Sequence, residues 1–137
     1  MDSIRIKDIN LEKIYDSGQV FNWYKENDSS FTIISKDRLI NLKQEKNDLI
    51  VVKYDKFDKF WENYFDLNKD YNEIFKTFPK EDIHLKKALK YGSGLKLLNQ
   101  DLFEIIITFI ISANNNMKRI RNSIHKLSKN YGKFLKT

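Results

Sequence analysis

The chain has 137 residues, 41% hydrophobic and 14% aromatic, with no cysteine and a net charge of +6. That is enough apolar material for one ordinary domain or parts of two, and it excludes a disordered chain; the lack of cysteine excludes a disulfide frame and a thiolate zinc site. The start, MDSIRIKDIN, has no signal-peptide core and the longest apolar run, FEIIITFIISA, is too short to span a bilayer, so the expectation is a soluble cytoplasmic protein with no membrane partner.

The first half reads as strands. IRIKDI (4–9) alternates apolar and polar residues, as a half-buried strand does. INLEKIYDSG (9–18) reads as a short helix closing on Gly18. VFNWYK, FTIISK, LINLKQ and LIVVKY follow, separated by ENDSS, DR and EKND, which is the pattern of an antiparallel meander.

The second half reads as helices. Phe57, Phe60, Trp61, Tyr64 and Phe65 fall at i, i+3, i+4, i+7 and i+8, an amphipathic helix whose aromatic stripe is expected to be core. KDYNEIFKTF (69–78) is a shorter helix, and Pro79, the only proline, marks a break. We therefore divide the chain into an antiparallel-sheet domain with flanking helices, 1–79, and a partial helical domain, 80–137. EDIHLKKALKYG (81–92) is the next helix. His84 and His125 have no partner at ligand spacing, so no metal site is expected. GSGLKLLNQ is a glycine-punctuated connector that matches neither a phosphate loop nor a dinucleotide fingerprint.

DLFEIIITFIISA (101–113) opens with Asp101 and Glu104 at capping-box spacing and is then apolar almost all round, which predicts a central, buried helix. The last helix starts near Asn116, with Met117, Ile120, Ile124, Leu127 and Tyr131 as its apolar stripe. The lysines elsewhere alternate with apolar positions and are expected to point to water.

Charge is distributed unevenly along the chain. Of 25 basic residues, 18 lie at or before Glu104, against all 19 acidic ones; after it come Lys118, Arg119, Arg121, Lys126, Lys129, Lys133 and Lys136 and no acid. Such asymmetry points to a polyanionic partner, although a solvated lysine-rich face would give the same count. The chain uses 21 lysines and only four arginines, two of them Arg119 and Arg121, which suggests a site wanting a planar donor. Lys118, Arg119 and Arg121 also crowd the start of a helix, where the dipole disfavours cations unless an anion binds in front of them.

Between the two last helices stands ANNNM: three amides where one would cap the helix. Two further stretches clarify this. SGQVFNW (17–23) resembles the GQ-x-F-R-W strand opening of 8-oxoguanine DNA glycosylases, and GLKLLNQDLFEIIITFIISANNNMKRI (94–120) resembles their G-[VIL]-R-[IL]-L-x-Q-D-P-x-E…F-I-x-S-x-N-N-N-I-x-R-I segment. YFDLNKDY (64–71) is similar to the family's YF-x-L-D-x-D-Y. The matches run in the family's order along the whole chain.

The resemblance implies an α+β fold. A twisted antiparallel sheet with flanking helices, similar to a repeat of the TATA-binding protein, would precede the first helices of an all-α glycosylase domain. It implies double-stranded DNA containing 8-oxoguanine as the partner, no cofactor, and an association with the nucleoid. Gly18 matches the glycine whose carbonyl reads the lesion. Asn114 matches the asparagine that fills the gap left by the extruded base, and Arg119 the arginine that contacts the orphaned cytosine. Asn115 and Asn116 are then left to shape the turn and cap the helix, and Lys118 and Arg121 to contact phosphates. Asn22 and Leu102 depart from the family's usual Arg and Pro.

The family's helix-hairpin-helix, catalytic lysine and catalytic aspartate would lie beyond residue 137. The expectation is thus the N-terminal part of a bacterial glycosylase and β-lyase, inactive alone. The rival readings are a non-catalytic DNA-binding module and a protein-interaction domain with a basic surface.

Overall fold

The computed structural model describes residues 2–46 and 48–135; Lys136, the last of the basic tail, lies outside them. Five strands form one sheet: β1 (Asp2–Arg5), β2 (Trp23–Lys25), β3 (Ser30–Ser35), β4 (Arg38–Lys46) and β5 (Leu49–Lys53). Six helices accompany them: α1 (Leu11–Asp16), α2 (Lys59–Tyr64), α3 (Tyr71–Lys76), α4 (Ile83–Tyr91), α5 (Leu102–Ser112) and α6 (Met117–Tyr131). This is the α+β arrangement expected.

The meander forms because apolar residues recur every second position. Trp23 faces Ile33, Phe31 faces Leu42, Ile33 faces Ile40 and Leu42 faces Val52. All six lie on one buried face. The sheet order is β1-β5-β4-β3-β2, antiparallel at every pairing. β1 and β2 are therefore neighbours in sequence but sit at opposite edges, and α1 carries the chain between them. Leu11 and Ile14 of α1 join Trp61, Tyr64 and Phe65 in covering the face, so the aromatic stripe is core as expected. Full burial of such a side chain contributes about 1.5–3 kcal/mol. Trp23 donates through Nε1 to the Tyr64 hydroxyl at 3.0 Å, which satisfies both polar tips inside the core.

The connector after α4 returns to this first core. Gly94 has φ +82°, and the Asn10 N–H donates to its carbonyl at 2.7 Å. A Cβ on Gly94 would lie 2.8 Å from Asn10 Cβ and 3.1 Å from its backbone N. Both the backbone conformation and the space require glycine here. We expect Gly94→Ala to lower stability by about 2–3 kcal/mol, from left-handed strain plus overpacking; urea unfolding measures it. A loss under 0.5 kcal/mol would show that the connector can lift off the sheet domain freely.

Two expectations are corrected. α5 is not central: it has no buried residue, and Leu102, Phe103, Ile106, Phe109 and Ile110 form an outward stripe, with Phe109 72% exposed. The helix is apolar almost all round, but among the described residues nothing covers its outer side. Nor do all lysines reach water. Lys96 in the connector is 5% exposed, its ammonium 4.4 Å from the centroid of the Tyr71 ring. Alternation along the connector could not show that α3 folds a ring beneath it.

Candidate nucleic-acid interface

The site is made where the end of α1 meets the start of α6. α1 is capped by Asn10, whose side chain accepts from the Lys13 N–H, and ends at Ser17; Gly18 follows with φ +82° and reverses the chain. The Gly18 carbonyl accepts no hydrogen bond from any described residue. Gln19 then ties this turn to the connector. Its Nε2 donates to the Lys96 carbonyl at 2.8 Å, its Oε1 accepts from the Leu98 N–H at 3.0 Å, and its carbonyl accepts from Gln100 Nε2 at 2.7 Å. The SGQ and LLNQD motifs, some eighty positions apart, are therefore two sides of one hydrogen-bonded joint.

The second wall is the α5–α6 turn, where the three asparagines separate by role. Asn115 donates through Nδ2 to the Ile111 carbonyl at 3.0 Å and accepts from the Asn116 N–H at 3.0 Å. Asn116 is the N-cap of α6 and accepts from the Arg119 N–H at 3.1 Å. Asn114 is exposed, has φ +49°, and its amide has no partner among the described residues. Asparagine tolerates this left-handed backbone better than most residues.

Met117 begins α6 and bends over Gly18: a Cβ at Gly18 would lie 3.9 Å from both its Sδ and Cε. The structure thus brings Gly18 beside the start of α6. Lys118 and Arg119, both exposed, have no ion-pair partner among the described residues. No acid lies in the first turn of α6, so its N-terminal N–H groups and these cations present positive potential together.

Arg121 behaves differently from the phosphate contact expected of it. Its Nη2 donates to the Tyr15 carbonyl at 2.7 Å and its guanidinium lies 3.9 Å from the Tyr15 ring centroid. A desolvated cation–π contact of this kind is worth about 2 kcal/mol. One turn later, His125 stacks on Tyr24 with centroids 4.1 Å apart and planes 17° apart. Between them Ile120 and Ile124 bury against Phe21. Sequence reading assigns no role at the site to Tyr15, Phe21 and Tyr24, and marks Met117 only as part of the apolar stripe of α6. The signal was present in part, since Met117, Ile120, Arg121, Ile124 and His125 fall on one stripe of the helix.

Glu104 lies in the first turn of α5, at the end of the helix away from the asparagines. It accepts from the Lys36 N–H at 2.8 Å, and Asn22, the residue that departs from the family's Arg, hydrogen-bonds it. Burial raises its carboxyl above the ordinary range. No group of His, Cys, Asp or Glu among the described residues could hold a metal, and no helix is long and apolar enough to cross a membrane.

The chain as a whole is similar to known proteins. Residues 3–106 match the model of the 8-oxoguanine DNA glycosylase N-terminal domain. The chain is 36% identical to MBOgg1 in complex with a low-affinity DNA ligand, with a TM-score of 0.88, covering 98% of this chain and 47% of that one. It is 32% identical to the Clostridium acetobutylicum 8-oxoguanine glycosylase/lyase in complex with double-stranded DNA containing cytosine opposite 8-oxoG, with a TM-score of 0.84, covering 100% and 51%. The N-glycosylase/DNA lyase OGG1 of Arabidopsis thaliana is 25% identical over 128 residues, 88% of this chain and 35% of its own length. This chain thus spans about half the length of the solved relatives and about a third of the curated one.

Proposed function

Because this chain belongs to the 8-oxoguanine DNA glycosylase family through its N-terminal domain, we propose that it is the lesion-reading part of a base-excision-repair glycosylase and β-lyase. Its partner on this reading is double-stranded DNA carrying 8-oxoguanine, met on the nucleoid in the cytoplasm. The two parts, 1–79 and 80–137, contribute one wall of the site each. The observation that carries the reading is the free Gly18 carbonyl set beside the start of α6, next to a turn whose one unengaged amide is Asn114.

The chemistry follows from donors and acceptors. Guanine presents N7 as an acceptor, so the Gly18 carbonyl meets lone pair with lone pair. The 8-oxo base carries a hydrogen on N7 and donates to the same carbonyl. Extruding the base costs a few kcal/mol of stacking and pairing. Asn114 enters the vacated space, and the Arg119 fork donates to O2 and N3 of the orphaned cytosine. Lys118 and the α6 N-terminus hold a backbone phosphate. Arg121, turned onto Tyr15, serves the helix rather than a phosphate. The lysine nucleophile and the aspartate that complete excision and strand cleavage belong to the part of the relatives that this chain does not match.

DNA affinity is expected to fall with salt. With Lys118 as the phosphate-side cation, the log–log slope is about −1, and Lys118→Ala brings it close to zero. Titration of the chain with a duplex containing 8-oxoguanine opposite cytosine, beside its guanine counterpart, tests this. A salt-independent affinity would favour a protein-interaction domain, and equal affinity for both duplexes a general DNA-binding module.

A further inference from the structure

We propose that Arg121 and His125 are positioning residues: together they clamp α6 onto Tyr15 and Tyr24 and so hold the Asn114–Arg119 segment opposite Gly18. The inference rests on the reading above only for its consequence; the clamp itself is a property of the free chain. Arg121 and His125 are one turn apart on α6 and grip different elements. Tyr15 lies in the last turn of α1, three residues before Gly18, and its ring lies 5.4 Å from that of Phe31 in the sheet core. Tyr24 belongs to β2, just after Gly18. The helix is therefore fastened on both chain sides of the glycine. Among the described residues the apolar cluster beneath is small, Phe21, Ile120 and Ile124 with Ile111 at its edge, so the two planar contacts decide the helix's rotation. Rotation matters, because Met117 and Asn114 are carried at its N-terminal end.

The clamp has a charge requirement. Arg121 is half-buried with no carboxylate partner among the described residues, and its Nε is buried without a hydrogen bond to any of them. His125 Nε2 is likewise buried and unpartnered. The groups facing His125 are the Tyr24 ring of β2, the Phe21 backbone, which hydrogen-bonds it, and Arg121 on its own helix. Protonation would place an N–H without an acceptor, and a second cation, beside Arg121. Burial accordingly lowers the imidazole below its ordinary value; the Phe21 bond opposes this and Arg121 adds to it. A base lowered in the folded state stabilises the docked helix above the unfolded value near 6.5. It loses that contribution as pH falls from there through the folded value.

Nuclear magnetic resonance of the 137-residue chain tests the clamp without DNA. In the wild type at pH 7.5 we expect a nuclear Overhauser contact between the Met117 methyl and the Gly18 α-protons. The methyl shift should move with His125 as pH is lowered from 7 to 5. Arg121→Ala should abolish the contact, and Arg121→Lys, which keeps charge but not the planar fork, should not restore it. His125→Phe should keep the contact and remove its pH dependence. The sheet-core signals report folding in each variant. Persistence of the contact in Arg121→Ala, or a Met117 signal that ignores His125, would overturn the clamp. A second arm compares affinity for lesion and guanine duplexes, where Arg121→Ala should reduce the ratio at least fivefold. Loss of the contact with an unchanged ratio would overturn the positioning role. A wild-type chain with no lesion preference would overturn the lesion-reading function, and the clamp would then stand or fall on the resonance data.

Discussion

Replacing Asn114 by alanine, in the chain completed to the length of its relatives, lowers 8-oxoguanine excision about a hundredfold, whereas Asn115→Ala lowers it less than tenfold. A hundredfold is about 2.7 kcal/mol, most of the few kcal/mol that extrusion of a base costs. Asn114 is the one amide of the three left unengaged among the described residues, so on the proposed reading its removal takes away the group that enters the vacated space. Asn115 gives up two bonds within the turn, each with a net worth of about 1 kcal/mol, and the turn retains its cap at Asn116. Backbone strain must be separated from the amide, since Asn114 has φ +49° and alanine is less at ease there. Asn114→Gly keeps that conformation freely. Single-turnover excision should fall as far for glycine as for alanine; recovery with glycine would mean that the residue serves the turn and not the DNA. Equal losses for Asn114→Ala and Asn115→Ala would move the gap-filling role elsewhere.

The 137-residue chain by itself forms no borohydride-trapped adduct with lesion DNA and excises no base. Schiff-base chemistry needs a neutral amine near the sugar C1′. An ordinary lysine with a pKa near 10.4 is neutral only about once in two thousand at pH 7. Burial or a cationic neighbour would be needed to change that. Lys96 is the buried lysine among those described, but its ammonium sits on the Tyr71 ring, whose hydroxyl donates to Asp66 at 2.8 Å. That side chain is turned toward α3, while its carbonyl faces Gln19. Lys118, beside the proposed site, is exposed. No acid follows Glu104 in the sequence to assist departure of the base, and Glu104 itself is engaged by the Lys36 N–H. Denaturing electrophoresis after borohydride treatment gives the answer. A covalent band abolished by Lys96→Ala or Lys118→Ala would place the catalytic amine in this chain and overturn its role as a lesion reader only.

Sequence alone determined the features that depend on near neighbours. Alternation located the four strands of the meander, the 3.6-residue stripe located the aromatic core helix, and the asparagine cap marked the start of α6. It also carried the family, because SGQVFNW and the QD-to-NNN segment keep their residue types at fixed spacing. Tertiary structure decided what joins residues far apart. β1 lies beside β5 and not β2, since strand pairing at an edge is set by the path of α1 across the sheet and leaves no local mark. Arg121 reads as one of three cations at a helix start, yet its planar fork is taken up by Tyr15, 106 positions earlier. Arg38 is likewise held by Asp55 and Asp58 at 2.7 and 2.9 Å, so an arginine's planarity is a clue that a site exists, not that it faces DNA. Which of three identical asparagines is unengaged, and which lysine is buried, were equally invisible. A hydrogen bond or a covering ring depends on where a distant segment arrives, and only the packed chain settles that.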